Sequence, residues 1–167
     1  GYINSYKFIH KLSNILKKKT CIVTDMGTAL LSGHQKISLK KDQMIMTSTG
    51  LGEMGYGLPG AIGASFGLNK GEVICLNCDG GIMMNLQELQ TITTNNLPIV
   101  IFLLNNNGYA SIAQTHNSFF NGREVGSTPK SGLAFPDFAD LCHGFGLKYS
   151  RIDTHNLIDQ SLKELND

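Results

Sequence analysis

No apolar run in this sequence approaches the roughly 20 residues that a membrane-spanning helix requires, which argues against a transmembrane protein. Neither charge is in excess, since 14 Lys and Arg face 13 Asp and Glu; no basic field offers itself to nucleic acid. Cysteine is scarce, four in 167 residues, without the repeating frame of a disulfide scaffold, and this fits a reducing compartment. Tryptophan is absent altogether, so no indole can line a site. The N-terminal residues carry no signal-peptide pattern, and the expected location is cytoplasmic. What is present is an ordinary globular composition, 41% hydrophobic, of a length suited to one domain over residues 1–167. Cys75 and Cys78 form a C-x-x-C, yet both lie in an apolar run where a strand would point them to opposite faces. Cys142-His143 has no second close pair to complete a metal site.

Ser5 is placed to cap a first helix in which Phe8, Ile9, Leu12, Ile15 and Leu16 recur at three-to-four spacing. Lys17, Lys18 and Lys19 suit its C-terminus. A short buried strand from Cys21 to Thr24 breaks into Asp25-Met26-Gly27-Thr28, a small-residue loop able to approach a phosphate. Residues 30–41 show no assignable period. Residues 44–49 read as the next strand, followed by Gly50-Leu51-Gly52-Glu53-Met54-Gly55-Tyr56-Gly57-Leu58-Pro59-Gly60. A helix starting at Leu58 takes Pro59 in its first turn and continues through small residues that allow close packing on a sheet.

Residues 73–78 form an apolar strand ending in Asp79-Gly80-Gly81. A helix over 82–92 is expected next, with an apolar stripe at Ile82, Leu86, Leu89 and Ile92. The six-residue apolar run 99–104 then reads as a strand buried on both faces of a parallel sheet, ending in Asn105-Asn106-Asn107-Gly108-Tyr109. Beyond it come a helix over 109–116, an irregular polar loop over 117–132, a helix beginning at Pro136, a strand over 147–152 and an amphipathic helix over 156–165. Strands alternating with helices predict an α/β fold: a doubly wound, mostly parallel sheet with helices on both faces. In such a sheet the two polar clusters share the carboxyl edge, where open sheets bind ligands.

Two ligand readings compete for that edge. Gly50, Gly52 and Gly55 make a G-x-G-x-x-G between a strand and a helix, with Asp79 at the next strand's end, as in a nicotinamide-dinucleotide-binding module. Against it, Pro59 falls where that fingerprint needs an uninterrupted helix, and a helix-interior proline costs about 3 kcal/mol. The second glycine turn at Gly80-Gly81 also goes unused. The other reading is a magnesium-diphosphate cradle. A hard dication on a diphosphate takes a few oxygen ligands from the protein, and Asp79 offers a carboxylate, Asn106 an amide oxygen and Gly108 a carbonyl. Gly80 and Gly81 let the backbone come close to the anion, beside N–H groups of a helix starting near Ile82.

With its Asp-Gly-Gly turn, intervening helix and strand, and Asn105-Asn106, the sequence resembles the C-terminal, diphosphate-binding domain of thiamine-diphosphate-dependent enzymes. Gly50 to Pro59 and Asn85-Leu86-Gln87-Glu88-Leu89 are most similar to the acetolactate synthase large subunit and its relatives. The resemblance covers essentially the whole chain and departs at Cys78, where the family usually has glycine. It implies magnesium held by Asp79, Asn106 and Gly108. It implies diphosphate contacts from Gly80 and Gly81, with Gly27 and Thr28 helping, and places Asn106 and Tyr109 among the cofactor contacts. Met54 would wedge between the two cofactor rings and keep them bent together, and Gly52 and Met54 would hydrogen-bond the pyrimidine through their backbones. Glu53 stands where relatives have small residues, so it is read as surface or substrate-facing.

The resemblance also implies what is missing. The family's activating glutamate comes from an N-terminal pyrimidine-binding domain of a partner subunit, and nothing here matches that domain. The chain is therefore expected to be the C-terminal part of a longer enzyme or a subunit of a split one, at least dimeric (a homodimer or homotetramer) and inactive alone. The family's substrate is a 2-oxo acid such as pyruvate. Simple decarboxylases of the family tend to carry a proton-donating glutamate where this chain has Ile112. An apolar residue in the substrate pocket favours ligation to a second carbonyl over a split phosphonopyruvate- or sulfopyruvate-type decarboxylase. Thr115 follows Gln114 where branched-chain acetolactate synthases place a substrate-selecting tryptophan, so the second substrate can differ. No residue here identifies a flavin, although FAD is compatible with the resemblance.

Overall fold

Four parallel strands carry the fold in this computed structural model, which describes residues 2–164. They are β1 (Cys21–Thr24), β2 (Met44–Met46), β3 (Val73–Cys78) and β4 (Ile99–Leu104), paired in the order β2-β1-β3-β4. Cys21 lies opposite Met44 on one side and Val73 on the other, and Val73 lies opposite Ile99. The winding reverses between β1 and β3, which makes the crevice beyond their carboxyl ends the topological switch point.

Alternation along the strands sends side chains to two cores. On one face Ile22, Ile74 and Leu76 pack with Phe8, Ile9 and Leu12 of helix α1 (Ser5–Ile15), and with Ile158 and Leu162 of α8 (Ile158–Lys163). Helix α2 (Thr28–Lys36) covers the same side through Ala29. On the other face Cys21, Val23, Val73 and Cys75 meet Ala61 and Ala64 of α3 (Gly57–Gly67), and Leu58 and Ile62 join Leu89 and Ile92 of α5 (Glu88–Asn95). The sheet is thus covered on both sides, the doubly wound α/β arrangement expected. Cys75 and Cys78 fall on opposite faces. Among the described residues no helix is long and apolar enough to cross a membrane.

Several elements differ from expectation. The first helix is capped by Asn4, not Ser5: the Asn4 side chain accepts from Lys7 N–H at 3.1 Å. Residues 30–41, unassigned by pattern, contain most of α2. Its buried side is built from the small residues Ala29, Ser32 and Gly33, which carry little hydropathy signal. Strand β2 is three residues long, not six.

The helix expected over 82–92 is two elements, the single turn α4 (Asp79–Ile82) and α5. Asn85 lies in the break and donates its side-chain N–H to Gly55 O at 2.7 Å, so a tertiary contact interrupts the helix. Helix α6 (Ala110–Phe119) starts one residue late and runs three further, while α7 (Phe138–Gly144) is capped by Asp137, whose carboxylate accepts from Ala139 and Asp140 N–H.

Residues 147–152 form no strand. Leu147 packs on one core and Ile152 on the other, so this stretch passes between faces without joining a ladder. The last helix is a 3-10 turn, His155–Leu157, leading into α8, and its expected end at Leu165 lies outside the described residues. Strand β4 is flanked by both cores, yet all six of its residues are only half-buried because it lies at the edge of the sheet.

Leu76 is fully buried in a central strand and touches α2 at Gly33. Leu76→Ala is expected to cost about 2–5 kcal/mol, read as a lowered midpoint in urea unfolding.

Candidate functional site

Beyond the carboxyl ends of β3 and β4 the chain turns twice, and one buried carboxylate ties the turns together. Asp79 is 1% exposed. Its Oδ1 accepts from Gly80 N–H at 2.8 Å, and its Oδ2 accepts from Asn106 and Gly108 N–H, both at 3.1 Å. Residues distant in sequence thereby become neighbours. The Asn106 amide faces the same place: its inward terminus lies 2.5 Å from Gly108 O and 3.2 Å from Asp79 Oδ2. With nitrogen inward, the amide donates to both oxygens in the ligand-free chain. With oxygen inward, three oxygens converge, an arrangement that only a cation between them would stabilise.

The donor set fits a hard dication. It is one carboxylate, one amide and one backbone carbonyl, and among the described residues no cluster of three His, Cys, Asp or Glu side chains offers a rival site. Burial pushes the Asp79 carboxyl above its ordinary value, and the N–H groups of Gly108, Gly80 and Asn106 offset part of that rise.

The remaining expected residues ring this centre. Gly80 is closely approached: a β-carbon there would run into the Tyr109 ring and lie 3.0 Å from Met54 Cε. Tyr109 and Met54 therefore lie over the glycine turn. Helix α4 begins at Asp79 rather than near Ile82, and the Gly80 N–H is taken by Asp79 itself. Met54 is 41% exposed, and Gly52, two residues before it, donates its N–H to Ser48 O at 3.0 Å. Gly27 and Thr28 form the start of α2. Cys78 joins this loop to β3: its Sγ accepts from Ala29 N–H at 3.3 Å and lies 3.5 Å from Met26 O. Burial pushes its thiol up to about 11, so it stays protonated.

Ile112 stands 48% exposed in the first turn of α6. Glu53 is exposed, and a hydrogen bond with Ser48 holds its carboxyl below the ordinary range. The loop 117–132 packs against the asparagine turn: Tyr109 N–H donates to Ser127 O at 2.9 Å, and Ser127 Oγ lies 3.3 Å from His116 Nδ1.

One residue the sequence analysis passed over also belongs here. Asp25, at the end of β1, is 1% exposed. Its carboxylate accepts from Met26 N–H at 2.7 Å and from Gly55 N–H at 3.0 and 3.1 Å. The only sequence signal for it was its place at a strand's carboxyl end.

Residues 25–166 match the family described as thiamine pyrophosphate enzyme, C-terminal TPP binding domain. This chain belongs to that family. Thiamine pyrophosphate is thiamine diphosphate under another name, so the membership displaces the nicotinamide reading of Gly50, Gly52 and Gly55. Within the family, the chain is 38% identical over 149 residues to a probable acetolactate synthase large subunit of Methanococcus aeolicus, covering 89% of this chain and 24% of the relative. It is 35% identical over 147 residues to the acetolactate synthase isozyme 2 large subunit of Escherichia coli, covering 87% and 26%. It is 30% identical over 161 residues to acetolactate synthase 1, chloroplastic, of Zea mays, covering 94% and 25%. The chain thus spans about a quarter of the length of these relatives.

Because Asp79's folded pKa is raised, its contribution to stability is complete below the unfolded value of about 3.9 and is lost as pH rises through the folded value. Asp79→Asn does not titrate, so the variant is expected to gain on the unaltered chain as pH is raised across that window. Urea unfolding of the ligand-free protein at a series of pH values measures the difference.

Proposed function

We propose that this domain holds thiamine diphosphate through a magnesium ion at the switch point, as the C-terminal part of a longer acetolactate-synthase-like enzyme. That enzyme decarboxylates a 2-oxo acid and ligates the product to a second carbonyl. The observation carrying the proposal is the convergence of Asp79 Oδ2, the Asn106 amide and Gly108 O at the ends of β3 and β4. When bound, thiamine diphosphate supplies the electron sink for loss of carbon dioxide; the residues here supply position.

Asp79, Asn106 and Gly108 would hold the cation. Gly80 and Gly81 would contact the diphosphate through their backbone, with Gly27 and Thr28 across the crevice. Met54, lying over Gly80, would separate the two rings. Ile112, half exposed and apolar, has no proton to donate, which would favour ligation to a second carbonyl over simple decarboxylation. The activating glutamate would come from the N-terminal domain of a partner subunit, so the assembly is at least dimeric and this chain alone turns nothing over.

Thiamine diphosphate with magnesium should raise the melting temperature by mass action, about 2.7 kcal/mol at a hundredfold excess over Kd, whereas NADH should leave it unchanged. Asp79→Ala should abolish the magnesium-dependent part of the affinity in calorimetry, and an unchanged affinity would count against the metal role. Met54→Ala should bind inorganic diphosphate normally and slow proton exchange at the thiazolium carbon in the full-length enzyme.

A further inference from the structure

Asp25 is a buried carboxylate that the proposed function does not use. It lies outside every ion pair among the described residues, and burying an unpaired carboxylate is costly. It accepts instead from backbone N–H groups, those of Met26 at 2.7 Å and Gly55 at 3.0 and 3.1 Å. It is also wedged between two turns. A β-carbon on Gly57 would fall 2.7 Å from Asp25 Cβ, and one on Gly81 would collide with Asp25 Oδ2.

The Gly55 N–H donates to both oxygens of this carboxylate, in a turn where Gly55 has φ +94°. On its other side Gly55 O accepts from Asn85 Nδ2 at 2.7 Å. The backbone just after Met54 is therefore clamped from two elements, Asp25 at the end of β1 and Asn85 in the break between α4 and α5. The consequence falls on Met54, whose Cε lies over Gly80. A free loop of glycines from 50 to 57 would not keep that side chain in one place.

We infer that Asp25 is the positioning residue for Met54: through the Gly55 N–H it fixes the loop that places Met54 over the Gly80 turn. The inference rests on the proposed function for Met54's role, while the tie itself can be measured without any cofactor.

Amide exchange followed residue by residue by NMR on the ligand-free chain is the first test. The Gly55 amide should be protected about a hundredfold over its unstructured rate. In Asp25→Ala that protection should fall at least about tenfold, while Leu76 in the central strand β3 keeps its own. Asp25→Asn, whose Oδ1 still accepts from Gly55 and Met26, should retain most of it. With magnesium present, Asp25→Ala should bind thiamine diphosphate about tenfold more weakly, the loss of roughly one hydrogen bond's contribution. Its affinity for inorganic diphosphate should stay within about twofold of the unaltered chain's, and Asp25→Asn should restore the thiamine diphosphate affinity.

An unprotected Gly55 amide in the unaltered chain overturns the inference, as do equal losses for the two ligands. Should the alanine variant not fold, Gly55 exchange in the unaltered chain and the asparagine variant decides. A chain that protects Gly55 yet ignores thiamine diphosphate overturns the proposed function and leaves the Asp25 tie standing.

Discussion

The site depends on one desolvated carboxylate gathering backbone N–H groups from two strand ends. Asp79 takes Gly80 from its own turn and Asn106 and Gly108 from the turn after β4. Hydrogen bonds to a charged acceptor in a buried setting are among the stronger ones available to a protein, and the two from Asn106 and Gly108 close the gap between the turns that the paired ends of β3 and β4 deliver. Once they are made, the positions of the Asn106 amide and the Gly108 carbonyl follow. Nothing else in the neighbourhood needs to be unusual: the sheet delivers the two turns, and Asp79 locks them.

The same device occurs one strand over. Asp25 follows β1 as Asp79 follows β3, and both are buried carboxylates that accept from main-chain N–H groups. The strands are adjacent and in register, with Asp25 N–H donating to Leu76 O at 2.8 Å. Two carboxylates therefore flank the switch point, one organising the asparagine turn and the other the glycine-rich loop with Met54. A doubly wound sheet leaves loops converging at this crevice, and loops without fixed anchors are too mobile to present groups with the precision that cofactor chemistry requires.

What could be read in advance was what local pattern encodes. The runs 73–78 and 99–104 are apolar, bounded by turn residues and long enough to be strands, and β3 and β4 occupy those residues. Asp79 and Asn106 stood out because each follows such a run. Helix α2 was not legible because its buried side is Ala29, Ser32 and Gly33, small residues with little hydropathy signal, of which Gly33 closely approaches Thr24 and Leu76. The break between α4 and α5 was hidden for a related reason: Asn85 leaves the helix to meet Gly55, thirty positions away. Asp25 escaped notice because its partner is that same distant glycine. Residues 147–152 have the composition of a strand, but Leu147 and Ile152 are drawn to different cores, so the stretch crosses from one face to the other instead of running along the edge of β4.

Strand β4 carries a consequence for the behaviour of the chain in solution. Its outer rim presents backbone donors and acceptors with no ladder partner among the described residues, and its sequence, Ile-Val-Ile-Phe-Leu-Leu, contains no charged side chain to discourage a visitor. Natural sheets usually guard such rims with lysine, proline or a bulge. Here the guard is the stretch 147–152, which passes from one face to the other beside β4 without joining its ladder, so wherever that stretch loosens, the rim is open to an extended polypeptide, another copy included.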